Sequence, residues 1–87
     1  MKLKSINLLI VDDNEKFLKT AAERAAVKGF NVFTAADGKQ AVEIVQKEHI
    51  HVAVVDQMMP DMNGLEVITK LKSLSPDTKT ILLTGHG

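Results

Sequence analysis

Three short apolar runs, each closing on polar residues, constrain this chain more than any other feature. They are Leu8-Leu9-Ile10-Val11-Asp12-Asp13, Val52-Ala53-Val54-Val55-Asp56 and Thr80-Ile81-Leu82-Leu83-Thr84-Gly85. Continuous apolar runs of this length read as strands buried on both faces, and such strands belong to parallel sheets. Ligands of parallel α/β sheets bind at the carboxyl ends of the strands. The pattern therefore brings Asp12, Asp13, Asp56 and Thr84 to one edge of one sheet. Three carboxylates and a hydroxyl at such an edge point to a cation and a phosphoryl group.

The segments between these runs carry helical spacing. Phe17, Leu18, Ala21, Ala22, Ala25 and Ala26 predict a helix over 16–28. Asn14 suits its N-cap and Gly29 its C′ position. Phe30-Asn31-Val32-Phe33-Thr34 alternates and reads as a half-buried edge strand. Asp37-Gly38 and Asn63-Gly64 read as turns. Ala41, Ile44 and Val45 mark a short helix ending near Glu48, and Leu65, Ile68, Leu71 and Leu74 give a third helix its stripe. Strands are expected over 6–11, 52–56 and 79–84. The order βαβαβαβ implies right-handed crossovers and a mostly parallel α/β sheet.

At 87 residues the chain makes one small domain. Its 11 Lys plus Arg balance 11 Asp plus Glu, which gives no electrostatic case for nucleic acid or a membrane surface. Without cysteine it can build neither a disulfide scaffold nor a zinc–thiolate site. The apolar run after Met1-Lys2-Leu3-Lys4-Ser5 is too short for a signal or membrane segment, so a cytoplasmic location is expected. G-x-G-x-x-G and G-x-x-x-x-G-K are both absent, so dinucleotide and P-loop readings lack their fingerprints.

Adjacent carboxylates such as Asp12 and Asp13 repel unless a cation sits beside them. Magnesium suits the set, because it takes oxygen ligands and usually binds through one or two carboxylates plus phosphate. The same Asp-Asp-Asn stretch could instead cap the following helix. Asp56 could act as nucleophile, metal ligand or cap, and aspartate does form aspartyl-phosphate intermediates. Thr84 could donate to a phosphoryl oxygen, or simply be a β-branched strand residue. His49 and His51 read as solvated loop residues at the opposite end of the sheet. Met58, Met59 and Met62 read as loop packing, since thioether is a poor ligand for hard cations.

These residues resemble the receiver domain of two-component response regulators. The resemblance rests on Leu9-Ile10-Val11-Asp12-Asp13-Asn14, on Val54-Val55-Asp56-Gln57-Met58-Met59-Pro60-Asp61-Met62-Asn63-Gly64, and on Leu82-Leu83-Thr84-Gly85-His86-Gly87. The last stretch is similar to receivers of the nitrogen-regulation and nodulation-regulator type. The resemblance implies a doubly wound, flavodoxin-like parallel sheet with strand order 2-1-3-4-5. It implies Asp56 as phosphoacceptor for a sensor histidine kinase. Magnesium would be held by Asp12, Asp13, Asp56 and the backbone carbonyl of Met58, with Thr84 as switch hydroxyl.

Receivers continue past the fourth strand with a helix, a fifth strand carrying a lysine, and a last helix. Residues 1–87 are therefore expected to be a receiver domain incomplete at its C-terminus. Lys79 begins strand four and lies at the wrong end to replace that lysine, and Lys16 sits in the first turn after Asp13. An alternative reading is a non-phosphorylated interaction module that forms a homodimer through its exposed strand-four edge. A third is a magnesium-dependent phosphohydrolase of the haloacid-dehalogenase type. It expects a second Asp two positions after the nucleophile, where this chain has Met58.

Overall fold

The computed structural model describes residues 6–57, 59 and 63–83. Among these, four strands and three helices alternate: β1 (Asn7–Val11), α1 (Glu15–Val27), β2 (Asn31–Ala35), α2 (Gly38–Lys47), β3 (Val52–Asp56), α3 (Gly64–Leu74) and β4 (Lys79–Leu83). The strands form one parallel sheet in the order β2-β1-β3-β4. This is the expected doubly wound, flavodoxin-like receiver arrangement. Helices α2 and α3 pack on each other and on one sheet face, where Leu9, Val11, Ala35, Ala53 and Val55 meet Ala41, Val45, Val67 and Leu71. Helix α1 packs on β1 and β2, with Leu18 buried.

Local chemistry explains most element boundaries. The Asn14 side chain accepts from the Phe17 N–H at 3.0 Å and caps α1. At the other end Gly29 takes φ 104°. Its N–H bonds to the Ala26 carbonyl, and the Phe30 N–H to the Ala25 carbonyl, which is the paired closure of a Schellman exit. Phe30 is thus used to finish α1, and β2 begins one residue later than expected.

The pairs read as turns are in fact helix starts. Asp37 Oδ1 accepts from the Gln40 N–H at 2.8 Å, and Asn63 Oδ1 from the Leu65 N–H at 2.7 Å. Each caps a helix whose first residue is the buried glycine that follows, Gly38 or Gly64.

Two burial patterns differ from expectation. On α3 the buried positions are Gly64, Val67 and Leu71, while Leu65 and Leu74 are 53% and 43% exposed. Residues advance about 100° each around a helix, so Leu65 and Leu74 stand about half a turn apart and cannot share one face. On α1 only Leu18 is buried, and Phe17 remains 42% exposed. One narrow stripe suffices where a helix rests on two strands.

Strand β4 reads from its apolar run as buried on both faces like β1 and β3, with its outer edge exposed. It alternates instead: Thr80 and Leu82 are half-buried, whereas Ile81 and Leu83 are 49% and 39% exposed. It is the outer strand, and α3 covers only its Thr80/Leu82 side.

Candidate metal and phosphoryl site

The order β2-β1-β3-β4 places β1 between the strand that follows it and β3, so the winding direction reverses between β1 and β3. Ligands of open α/β sheets bind outside the carboxyl ends of the strands at this reversal. Val11 is in register with Val55, so Asp12 and Asp56 leave neighbouring strands at the same height. Carboxylate oxygens of Asp12, Asp13 and Asp56 lie within 4.8 Å of one another. The three acids named from sequence therefore do converge. Met58 and Thr84, named with them, lie outside the described residues.

Each carboxylate is held differently. The Asp12 N–H donates to the Ala35 carbonyl at 3.1 Å, extending the β1–β2 ladder by one step. Its Oδ1 accepts from the Asn14 N–H at 2.8 Å, a local bond that fixes the side chain at the turn into α1. Asn14 thus closes the helix, and Asp12 is left to face the acidic cluster. Asp13 is exposed, while Asp12 and Asp56 are 8% and 5% exposed. Lys16 is exposed on α1, and Lys79 starts β4 at the opposite end of the sheet.

The electrostatics follow from this crowding. Burial pushes the Asp12 carboxyl above its ordinary value. The Asn14 N–H opposes that shift, and the negative charges of Asp56 and Asp13 reinforce it. A buried acid beside two others favours whatever brings positive charge. The donor set is all oxygen and supplies few protein ligands, which fits a hard divalent cation that keeps part of its water shell. A cation held there would neutralise an oxyanion brought to the same edge of the sheet.

Sequence reading missed the part played by Asn63 and Gly64 behind this cluster. The signal was present: a capping residue and a glycine directly precede a helical stripe. At the far end, His51 is not a solvated loop residue. It is half-buried, and its Nδ1 accepts from the Asn7 N–H at 2.9 Å.

Comparison with known proteins agrees with this geometry. Residues 8–87 match the family model described as the response regulator receiver domain. The photosynthetic apparatus regulatory protein RegA of Cereibacter sphaeroides is 40% identical over 81 residues, covering 93% of this chain and 44% of RegA. A Burkholderia pseudomallei response regulator, solved with a phosphorylated aspartic acid, calcium ion and citrate, has TM-score 0.87 and 32% identity; the match covers 94% of this chain and 48% of that one. Thermotoga maritima TrrA, in complex with Mg2+ and BeF, has TM-score 0.85 and 28% identity, with 94% and 71% covered. The chain spans between 20% and 64% of the length of the curated relatives it matches. Those relatives are varied regulators and single out no subgroup. With its acids gathered at the sheet reversal and a family model matched over residues 8–87, the chain belongs to the response regulator receiver family of two-component signalling, whose domains are phosphoacceptors.

Proposed function

We propose that Asp56 accepts a phosphoryl group from a sensor histidine kinase, in a reaction that requires Mg2+. The observation that carries this reading is the convergence of three carboxylates on the carboxyl ends of β1 and β3. Asp56 is the attacking group, because it ends a central strand and is nearly fully buried. Its carboxylate oxygen forms the new O–P bond as the P–N bond of the donor phosphohistidine breaks. The imidazole leaves with the electron pair and takes a proton from solvent. Asp12, Asp13, Asp56 and the backbone carbonyl of Met58 are the proposed metal ligands, and Thr84 the hydroxyl that answers phosphorylation. Bound Mg2+ supplies charge neutralisation for the transferring group.

No described helix is long and apolar enough to cross a membrane. A cytoplasmic setting and the kinase partner are part of the proposal. The stretch from Leu82 to Gly87 supports the nitrogen-regulation and nodulation-regulator type within the family. The chain is read as an acceptor whose chemistry is confined to gaining and losing its own phosphoryl group. An intact acid cluster supports this over a vestigial interaction module, and Met58 at the acid/base position argues against a phosphohydrolase.

Intact mass after incubation with a small-molecule phosphodonor tests the proposal. The expected result is a Mg2+-dependent gain of one phosphoryl group that Asp56→Asn abolishes. No gain on folded protein, or an equal gain in the variant, overturns it.

A further inference from the structure

Gly64 stands against the backbone that carries the phosphoacceptor. A Cβ added there would lie 2.6 Å from the Asp56 carbonyl oxygen, 2.7 Å from the Gln57 Cα and 2.9 Å from the Leu82 Cδ1. All three are well short of the 3.4 Å at which ordinary contact begins. Two of the three are main-chain atoms at the end of β3, so no rotamer change relieves them. The start of α3 is therefore seated directly on the end of β3, and only a residue without a side chain permits that approach.

Hydrogen bonds complete the seat. The Gly64 N–H donates to the Gln57 carbonyl at 3.3 Å, which ties the two ends of the loop after Asp56 to each other. The Gln57 N–H donates to the Leu83 carbonyl at 3.0 Å, which ties the same residue to the end of β4. Asn63 caps α3 through the Leu65 N–H, directly before Gly64. Three elements thus meet at Gln57, one residue beyond Asp56.

We infer that Gly64 is a positioning residue for the acidic site: its close approach to the backbone of Asp56 and Gln57 sets where the Asp56 carboxylate stands relative to Asp12 and Asp13. This rests on the phosphoacceptor reading of Asp56. A functional constellation tolerates errors of about 0.5 Å. A methyl at position 64 forces the β3 end or α3 to move by a comparable amount, because packed interiors have no slack to absorb it.

The test compares Gly64→Ala with Leu71→Ala, a cavity variant in the same helix but away from the site, and with wild type. Mg2+ affinity is read from the carboxyl carbon shifts of Asp12 and Asp56, and phosphoryl uptake from intact mass. Gly64→Ala is expected to weaken Mg2+ binding by about 10-fold or more, as loss of a supporting contact behind a metal site does, and to slow uptake in parallel. Leu71→Ala is expected to stay within about 2-fold of wild type in affinity while losing stability. Removing the one flexible neighbour as well, in Gly64→Ala/Leu82→Ala, should not restore affinity, because the two backbone contacts remain.

Should Gly64→Ala fail to fold, amide exchange of the wild type decides. Mg2+ is expected to slow exchange at Gly64 and Gln57 together and to leave Thr78, at the other sheet end, unchanged. Equal affinities in Gly64→Ala and wild type, or no coupled protection, overturn the inference. A wild type that takes up no phosphoryl group but still binds Mg2+ in a Gly64-dependent way overturns the acceptor reading instead.

Discussion

The two ends of the sheet use polar groups in opposite ways. At the amino end they satisfy one another. His51 Nδ1 accepts from the Asn7 N–H, the Asn7 amide donates to the His49 carbonyl, and the Asn31 amide donates to Asn7 Oδ1. The buried Thr78 hydroxyl bonds to the Ile50 carbonyl, beside Ser75 Oγ at 2.7 Å. At the carboxyl end, like charges are brought together and two of them are buried. Paired polar groups stabilise the fold, whereas a cluster of acids costs stability that a bound cation would offset. The difference marks the amino end as structural and the carboxyl end as the candidate site.

Saturating Mg2+ should break the contrast most strongly, by removing the repulsion at the carboxyl end. At a concentration about 100 times its dissociation constant, it should add about 2.7 kcal/mol of stability. For a domain this small, each kcal/mol raises Tm by about 4–8 °C. A thermal melt with and without Mg2+ measures this, and Asp12→Asn should lose most of the gain.

Thr78→Val attacks the other end. The change conserves shape but strips the Ile50 carbonyl and Ser75 hydroxyl of their shared partner, which should cost about 1–3 kcal/mol in denaturant unfolding. Mg2+ affinity should be unaffected, since the site lies a strand length away. A change in affinity as large as that from Gly64→Ala would show that the two ends are not separable.

The smallest effect should be a gain. Asp12→Asn keeps an oxygen to accept from the Asn14 N–H and removes a buried charge. Without metal it should raise stability near neutral pH by about 0.5 kcal/mol, the low end of what such changes give. The sign with pH is fixed by the raised Asp12 carboxyl. Its folded form holds a proton more readily than its unfolded form, so the cost of Asp12 is full above the folded value. As pH falls from there toward 3.8 the cost fades, and the advantage of Asp12→Asn over wild type should vanish below it. An advantage that grows on acidification would contradict the assignment of burial and like charge as the cause.

Much of this was readable from single residues. Val52–Asp56 was expected as a strand with its observed limits, and the convergence of Asp12, Asp13 and Asp56 followed from apolar runs that end in acids. Asn14 and Gly29 were legible because caps are chosen by local geometry. The face of α3 was not, because Leu65 and Leu74 offer as much apolar surface as Val67, and only the position of the sheet selects among them. The exposure of strand four was legible at its edge but not at its face: an apolar strand reads alike whether one or two layers cover it, so Ile81 and Leu83 could not be singled out.

The sequence by itself determined the alternation of strands and helices, the helix caps and the placement of acids at strand ends. These depend on period, torsional preference and bonds between residues close along the chain. Only the tertiary structure decided which leucines are buried, that His51 serves the backbone of β1, and that Gly64 must lack a side chain. Each of these depends on atoms far apart in sequence meeting at contact distance, as Gly64 meets Asp56 and Leu82. Packing at that range is set by the whole fold.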